Sequence, residues 1–310
     1  MTEGLNIVVR FALYGDLMLL FGLPLFAFYA PREIARQSAG GFPLRPMLAM
    51  FAALGVGFSV VGLFVMCAAM AGMPVMGVDR ATVQMVVTQT PFGAAWQLRL
   101  VTSAIALAVS VAMPREGNRA FLTVVAVTAG AALASLAWTG HGAAGEGLAG
   151  TVQLVADIVH LLAAGVWVGA LAAFAILLFR PAAGRSSDHI GLTRRALERF
   201  SSVGTLTVAA LVATGLVNSY TLIGFANLTT LPTTLYGQLL IAKLVLFAAM
   251  LGLAAANRFR LTPALASARG DPSAQIGALR RSLALETAAA TAILALVAGL
   301  GTLAPPLAGG

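Results

Sequence analysis

The chain is a succession of apolar runs, each about as long as a bilayer is thick, broken by short polar stretches. A helix crossing the hydrocarbon core needs about 20 mostly apolar residues. Eight segments meet that length: 7–30, 47–71, 94–113, 120–139, 152–179, 201–223, 236–256 and 283–304. Their apolar character is continuous, not alternating, and each is too long for a barrel strand. In lipid, backbone polar groups are satisfied only in helices or closed barrels. The expected fold is therefore an all-α integral membrane protein, a bundle of eight transmembrane helices forming a single polytopic domain over 1–310. The stretch 73–93, "MPVMGVDRATVQMVVTQTPFG", breaks the pattern. Its Pro74, Asp79 and Arg80 predict an interfacial loop with a short amphipathic turn. The first apolar run carries Asp16 and lacks a basic leader and a small-residue cleavage site, so it reads as a retained helix.

Composition strengthens this picture. Hydrophobic residues make up 59% of the 310 positions and charged residues only 10%, against about 25% charged in soluble domains. Mean hydropathy is +0.92. The net charge of +8 does not point to nucleic acid, because no basic face with interleaved aromatics exists. Cys67 is the one cysteine, which excludes an internal disulfide and any CxxC motif. No loop is long enough to form a nucleotide-binding domain and no GxxxxGK[ST] run occurs. The reading is of a carrier or receptor without ATP hydrolysis, not an enzyme. No internal repeat of the kind found in inverted-repeat transporters stands out.

Basic residues set the expected orientation. Loops 31–46, 114–119, 180–200 and 257–282 hold fifteen of the nineteen Lys and Arg residues, and the alternate loops hold only Arg80. Basic loops stay cytoplasmic. Both termini are then expected on the periplasmic side of a bacterial inner membrane, with the loop carrying His141.

Ionisable groups inside spans are costly and by default mark a site. With this orientation they gather at one depth in the outer half: Asp16, Arg99 beside Gln97, Trp138 with His141, Asp157 with His160, Asn218 beside Tyr220, and Lys243. Asp157 and His160 lie about 8 and about 12 Å along the fifth helix. They are three apart, close enough for Asp157 to orient the His160 ring. His160 and Trp167 are seven apart and share a face. Gly165 and Gly169 form a small-xxx-small pair pointing largely the other way, suited to close helix packing. His141 and His160 flank a tight hairpin, so the two imidazoles can approach and act as metal ligands. Asp16 and Lys243 are expected to be a charge-balancing pair, although either carboxylate would equally neutralise Lys243 or Arg99. Trp138 and Trp167 also fit an interface or packing role.

On the second helix Met66, Met70 and Met73 recur at helical spacing, with Cys67 and Met76 nearby. Thioethers suit Cu(I) and imidazole suits copper generally, so Met70 and Met73 are weaker candidate donors beside the alternative of apolar filler. Glu286 reads as a helix-start carboxylate with a local basic partner at Arg280 or Arg281.

Several stretches taken together resemble the inner-membrane copper resistance D (CopD) family. They are "WQLRL" (96–100), "TGHGA" (139–143), "DIVHLLAAGVWVGAL" (157–171), "RFSSVG" (199–204) and "ATGLVNSY" (213–220). The series continues with "LYGQLLIAKLVLFAAMLGLAAANRFRLTPAL" (235–265), "LRRSLALE" (279–286) and "LGTLAPP" (300–306). The first third agrees in layout more than in motif. The resemblance implies copper handling at the inner membrane, with copper accepted from the periplasm and moved toward the cytoplasm. It also implies a separate periplasmic copper-binding partner of the CopC kind. It maps the family's histidines and tryptophan onto His141, His160 and Trp167. Direction, oxidation state, energy source and oligomeric state stay open. The residues alone equally allow axial ligation of a haem by the two histidines in an electron-transfer protein. They also allow a polar cluster that is only structural.

Overall fold

A computed structural model describes residues 2–31, 43–112, 119–139, 147–179, 187–224, 227, 229, 231–267 and 273–304. Eight long helices carry the architecture: α1 (Thr2–Tyr29), α2 (Leu44–Ala71), α3 (Pro91–Ala112), α4 (Arg119–Ala134), α5 (Gly147–Leu178), α6 (Ser187–Ile223), α7 (Leu235–Ala256) and α8 (Ser273–Leu300). All eight are long and apolar enough to cross a membrane. Among the described residues there is no strand. Large apolar side chains that face outward, such as Val127, Leu206, Leu216 and Val245, are what a lipid-facing surface requires.

Several helices outrun their apolar stretches. α6 begins at Ser187 and α8 at Ser273, well before the hydropathy boundaries at 201 and 283. Hydropathy marks the part of a helix that lies in lipid, but an α-helix continues into a polar environment wherever its side chains support it. Arg194 and Glu198, four apart on α6, form a 2.6 Å ion pair in that extension. α4 instead tightens into a 3₁₀ turn at Ser135–Thr139.

The stretch after α2 holds more structure than a single turn. α2 stops at Gly72, whose φ of +64° is the left-handed cap that glycine accepts most readily. A 3₁₀ turn at Val75–Gly77 follows, then a short helix at Arg80–Gln89. Asp79 caps that helix by accepting from the Thr82 N–H at 2.8 Å. The Thr82 hydrogen bonds hold the exposed Asp79 carboxyl below the usual carboxylate range.

Two groups of four helices emerge. In the first, α1, α2, α3 and α4 close a ring: α1 packs on α2 and α4, and α3 packs on both of these. In the second, α5 packs on α6 and α8, and α8 packs on α7, while α6 and α7 lack extensive packing on each other. α1 joins the groups by also lying along α5 and α8. Its crossing with α5 is a backbone contact: Gly22 meets the Gly165 carbonyl and the Gly169 backbone, leaving no room for a β-carbon at either Gly22 or Gly169. The small-residue pair on α5 is thus the surface that seats α1. An aromatic cluster extends this joint, with Phe26 edge-on to Phe174 at 5.3 Å and Tyr29 stacked on Phe200 at 6.0 Å.

This crossing generates the first test. A Gly22→Leu change drives a side chain into backbone and is expected to cost more than the 1–3 kcal/mol typical of overpacking. Gly57→Leu, at a position with open space around it, serves as control. Thermal unfolding in detergent should show a large loss for the first and little change for the second; equal melting temperatures would mean the crossing is not tight.

Candidate functional site

Adjacent α5 and α6 run antiparallel, and their facing polar side chains meet rung by rung. Asp157 and His160 lie three apart on α5; Asn218 and Thr214 lie four apart on α6. The Asn218 side-chain amide donates to Asp157 Oδ1 at 2.5 Å. The His160 Nδ1 lies 2.9 Å from Thr214 Oγ1. Lys243 of α7 lies close enough to act electrostatically on both Asp157 and His160, and Tyr236, one helical stretch above it, feels Asp157. Four polar side chains from α5 and α6 therefore share one level of the bundle, with Lys243 and Tyr236 of α7 coupled to it from below and above. That level is near its upper end, where Thr139 and the first residues of α5 and α7 lie.

The hydrogen bond to Thr214 fixes the state of the imidazole. A hydroxyl carries one hydrogen, and that of Thr214 is committed to the Ala210 carbonyl at 2.6 Å. Its oxygen can then only accept, so His160 donates from Nδ1–H. The neutral ring keeps its lone pair on Nε2. An imidazole held at one nitrogen by a hydrogen bond and free at the other is the form that binds a metal ion.

The geometry revises several expectations. Asp157 does not orient His160; Thr214 does, because both α5 side chains point across to α6. Asp16 and Lys243 are not a pair. Asp16 is buried between α1, α2 and α3, facing Gly55 and Ser103, with neither carboxylate oxygen hydrogen-bonded. Lys243 stands on α7, in the other helix group. Arg99 is 1% exposed and reaches the Ser135 hydroxyl at 3.5 Å; Tyr14 is its electrostatic neighbour. It does not neutralise either aspartate, and among the described residues the one ion pair is Arg194–Glu198. Trp167 is buried on the face below His160. Trp138 is half-buried in the 3₁₀ turn that ends at Thr139.

Met70 and Met73 are not brought to His160. They end α2 and the turn after it, and α2 packs on α1 and α3. Met70 is exposed, Met76 almost completely so, and Cys67 is sealed beneath the short helix with Leu63 and Val86. Among the described residues no three His, Cys, Asp or Glu side chains gather as a metal cage. His141 lies outside the described residues. What leads to it is defined: Arg10 of α1 donates to the Thr139 carbonyl at 2.8 Å.

Thr214 is the partner of His160 that sequence reasoning missed. A threonine bonding back to its own helix reads as filler in a span. The available signal was its four-residue spacing from Asn218, matched against the three-residue spacing of Asp157 and His160.

Glu286 also departs from expectation. It is 3% exposed and lies in the middle of α8, bonded to the Asn257 side-chain amide and not to an arginine.

Comparison with known proteins decides the family. The N-terminal domain model of copper resistance protein D-like proteins matches residues 1–151, the α1–α4 group, and the copper resistance protein D model matches 194–300. Copper resistance protein D of Pseudomonas syringae pv. tomato is 42% identical over 312 residues, covering 100% of both chains. The chain belongs to the copper resistance protein D family. Inner membrane protein YebZ of Escherichia coli K12 is 31% identical over 96% of this chain and 98% of its own length. Copper transport protein CutJ of Bacillus subtilis 168 is 36% identical over 130 residues, 42% of this chain and 23% of that protein. No solved structure matches. With its eight spans, this member of the family is a multi-pass protein of the inner membrane, and its role concerns copper.

The ladder itself is testable. Asn218→Ala leaves the Asp157 carboxyl without its donor, which costs about 1–3 kcal/mol at a buried site. Asn218→Ala with Asp157→Ala together should recover part of that loss. Thermal unfolding of the two single variants and the double variant measures the coupling; strictly additive losses would show that the pair is not linked.

Proposed function

We propose that this protein takes up copper at the upper, periplasmic end of α5 and α6 and passes it across the inner membrane toward the cytoplasm, without ATP hydrolysis. The observation that carries the reading is the His160 imidazole, held through Nδ1 beside Thr214, which in the Nδ1–H tautomer leaves the Nε2 lone pair for a metal ion. His141, on the loop that begins one residue after Thr139, supplies the second imidazole. Copper is the cargo, so a two-donor site suits it: binding must be strong enough to load and weak enough to release. The bias of Lys and Arg toward alternate loops favours an orientation with both termini in the periplasm. There a separate copper-binding protein of the CopC kind can deliver the ion.

Purified protein should carry close to one copper per chain, and the His141→Ala/His160→Ala double variant should lose it. Thr214→Val keeps the shape but removes the ring's acceptor, and should weaken copper binding roughly tenfold. Copper uptake into proteoliposomes should fall in the same order. Haem absorption in place of copper would replace this reading with an electron-transfer one, and wild-type protein that holds neither would end both.

A further inference from the structure

Below the His160 level, α5, α6, α7 and α8 enclose a cavity of about 320 Å³. Its wall is largely apolar and aromatic, including Trp167, Phe174, Phe200, Leu251 and Leu283, with Glu286 also in the lining. It lies where α6 and α7 lack extensive packing on each other, so the seam between them gives it a lateral route to the bilayer. At the lower end Arg258 bridges that seam by donating to Thr205 Oγ1 and to the Ser201 carbonyl at 3.3 Å.

Two polar groups on this wall are unsatisfied. The Trp167 indole N–H is buried without a partner, on a side chain only 4% exposed. Asn257 gives its amide hydrogen to Glu286 and leaves its own Oδ1 buried and unbonded. Buried donors and acceptors without partners cost free energy and are uncommon in native proteins. One donor and one acceptor on an apolar wall match a neutral head with oxygen functions. Arg258 and Glu286, one basic and one acidic, both line the cavity, so its wall offers no excess of either charge to select an ion. Copper is a poor occupant, because the lining contains no imidazole, thiol or thioether. The volume is within the range of small-molecule sites, and the mix of apolar wall and few fixed polar groups is typical of them.

We infer that this cavity binds a neutral, lipid-soluble molecule whose carbonyl oxygen accepts from the Trp167 N–H, entering between α6 and α7. Two membrane sources share that chemistry: a quinone, and the ester carbonyl of a neutral glycerolipid. This site is separate from the copper site and does not rest on it.

The test uses full-length protein in nanodiscs and equilibrium dialysis with two radiolabelled probes, a decyl-substituted benzoquinone and dioctanoylglycerol. Saturable binding of either supports the inference, and whichever binds identifies the source. Trp167→Phe keeps the ring and removes the donor, and should weaken that binding roughly tenfold. Ala254→Trp fills the cavity from α7 and should abolish it. Thermal unfolding of both variants in the same nanodiscs should stay close to that of the wild type and reports that they are folded. Mass spectrometry of lipid retained by wild-type protein provides a readout that needs no variant. If neither probe saturates and no such molecule is retained, or if binding is indifferent to both substitutions, the inference is wrong.

Discussion

The arrangement hangs on one contact, the backbone crossing of α1 and α5 at Gly22, Gly165 and Gly169. Between helices in lipid there is no hydrophobic driving force, so close van der Waals approach supplies much of the association. Side chains at these positions would hold the helices apart. With α1 seated against α5, the closed α1–α4 ring becomes a fixed wall for the second group. α5 then turns its opposite face toward α6, and the polar residues on that face can meet partners only there. The rigidity of the first group thus supports the looser packing of the second.

That looseness has a chemical counterpart. Along α5 the same face carries Asp157, His160 and, about 10 Å lower, Trp167. The upper residues are matched by hydrogen bonds from α6; Trp167 is not. In a bilayer, unmatched polar groups find no bulk water to satisfy them. Polar side chains therefore accumulate at the seam where α6 and α7 diverge, while α5 against α1 uses glycine and aromatic surface. The division between sealed and open sides of α5 separates glycine and aromatic packing from the polar seam.

Much of this could be read from sequence, and the limits have definite causes. Eight apolar runs specified eight helices because lipid imposes a length and a backbone constraint. The glycine pair on α5 was recognisable by spacing, but its partner Gly22 was not, since a single glycine in a span carries no pattern. Asp157 and His160 stood out as ionisable groups in an apolar run. Their partners followed from the pairing of α5 with α6, which depth alone does not reveal. For the same reason depth suggested Asp16 beside Lys243, although the two residues belong to different helix groups. Helix ends were misplaced wherever polar residues extended a helix beyond lipid, as in α6 and α8.

Arg10 has a consequence beyond its hydrogen bond to the Thr139 carbonyl. Its guanidinium also lies against Gly301, so any side chain there would have to push it aside. Positions 10, 139 and 301 thus converge on one cation, so the first helix, the turn after the fourth and the end of the eighth are tied at a single point.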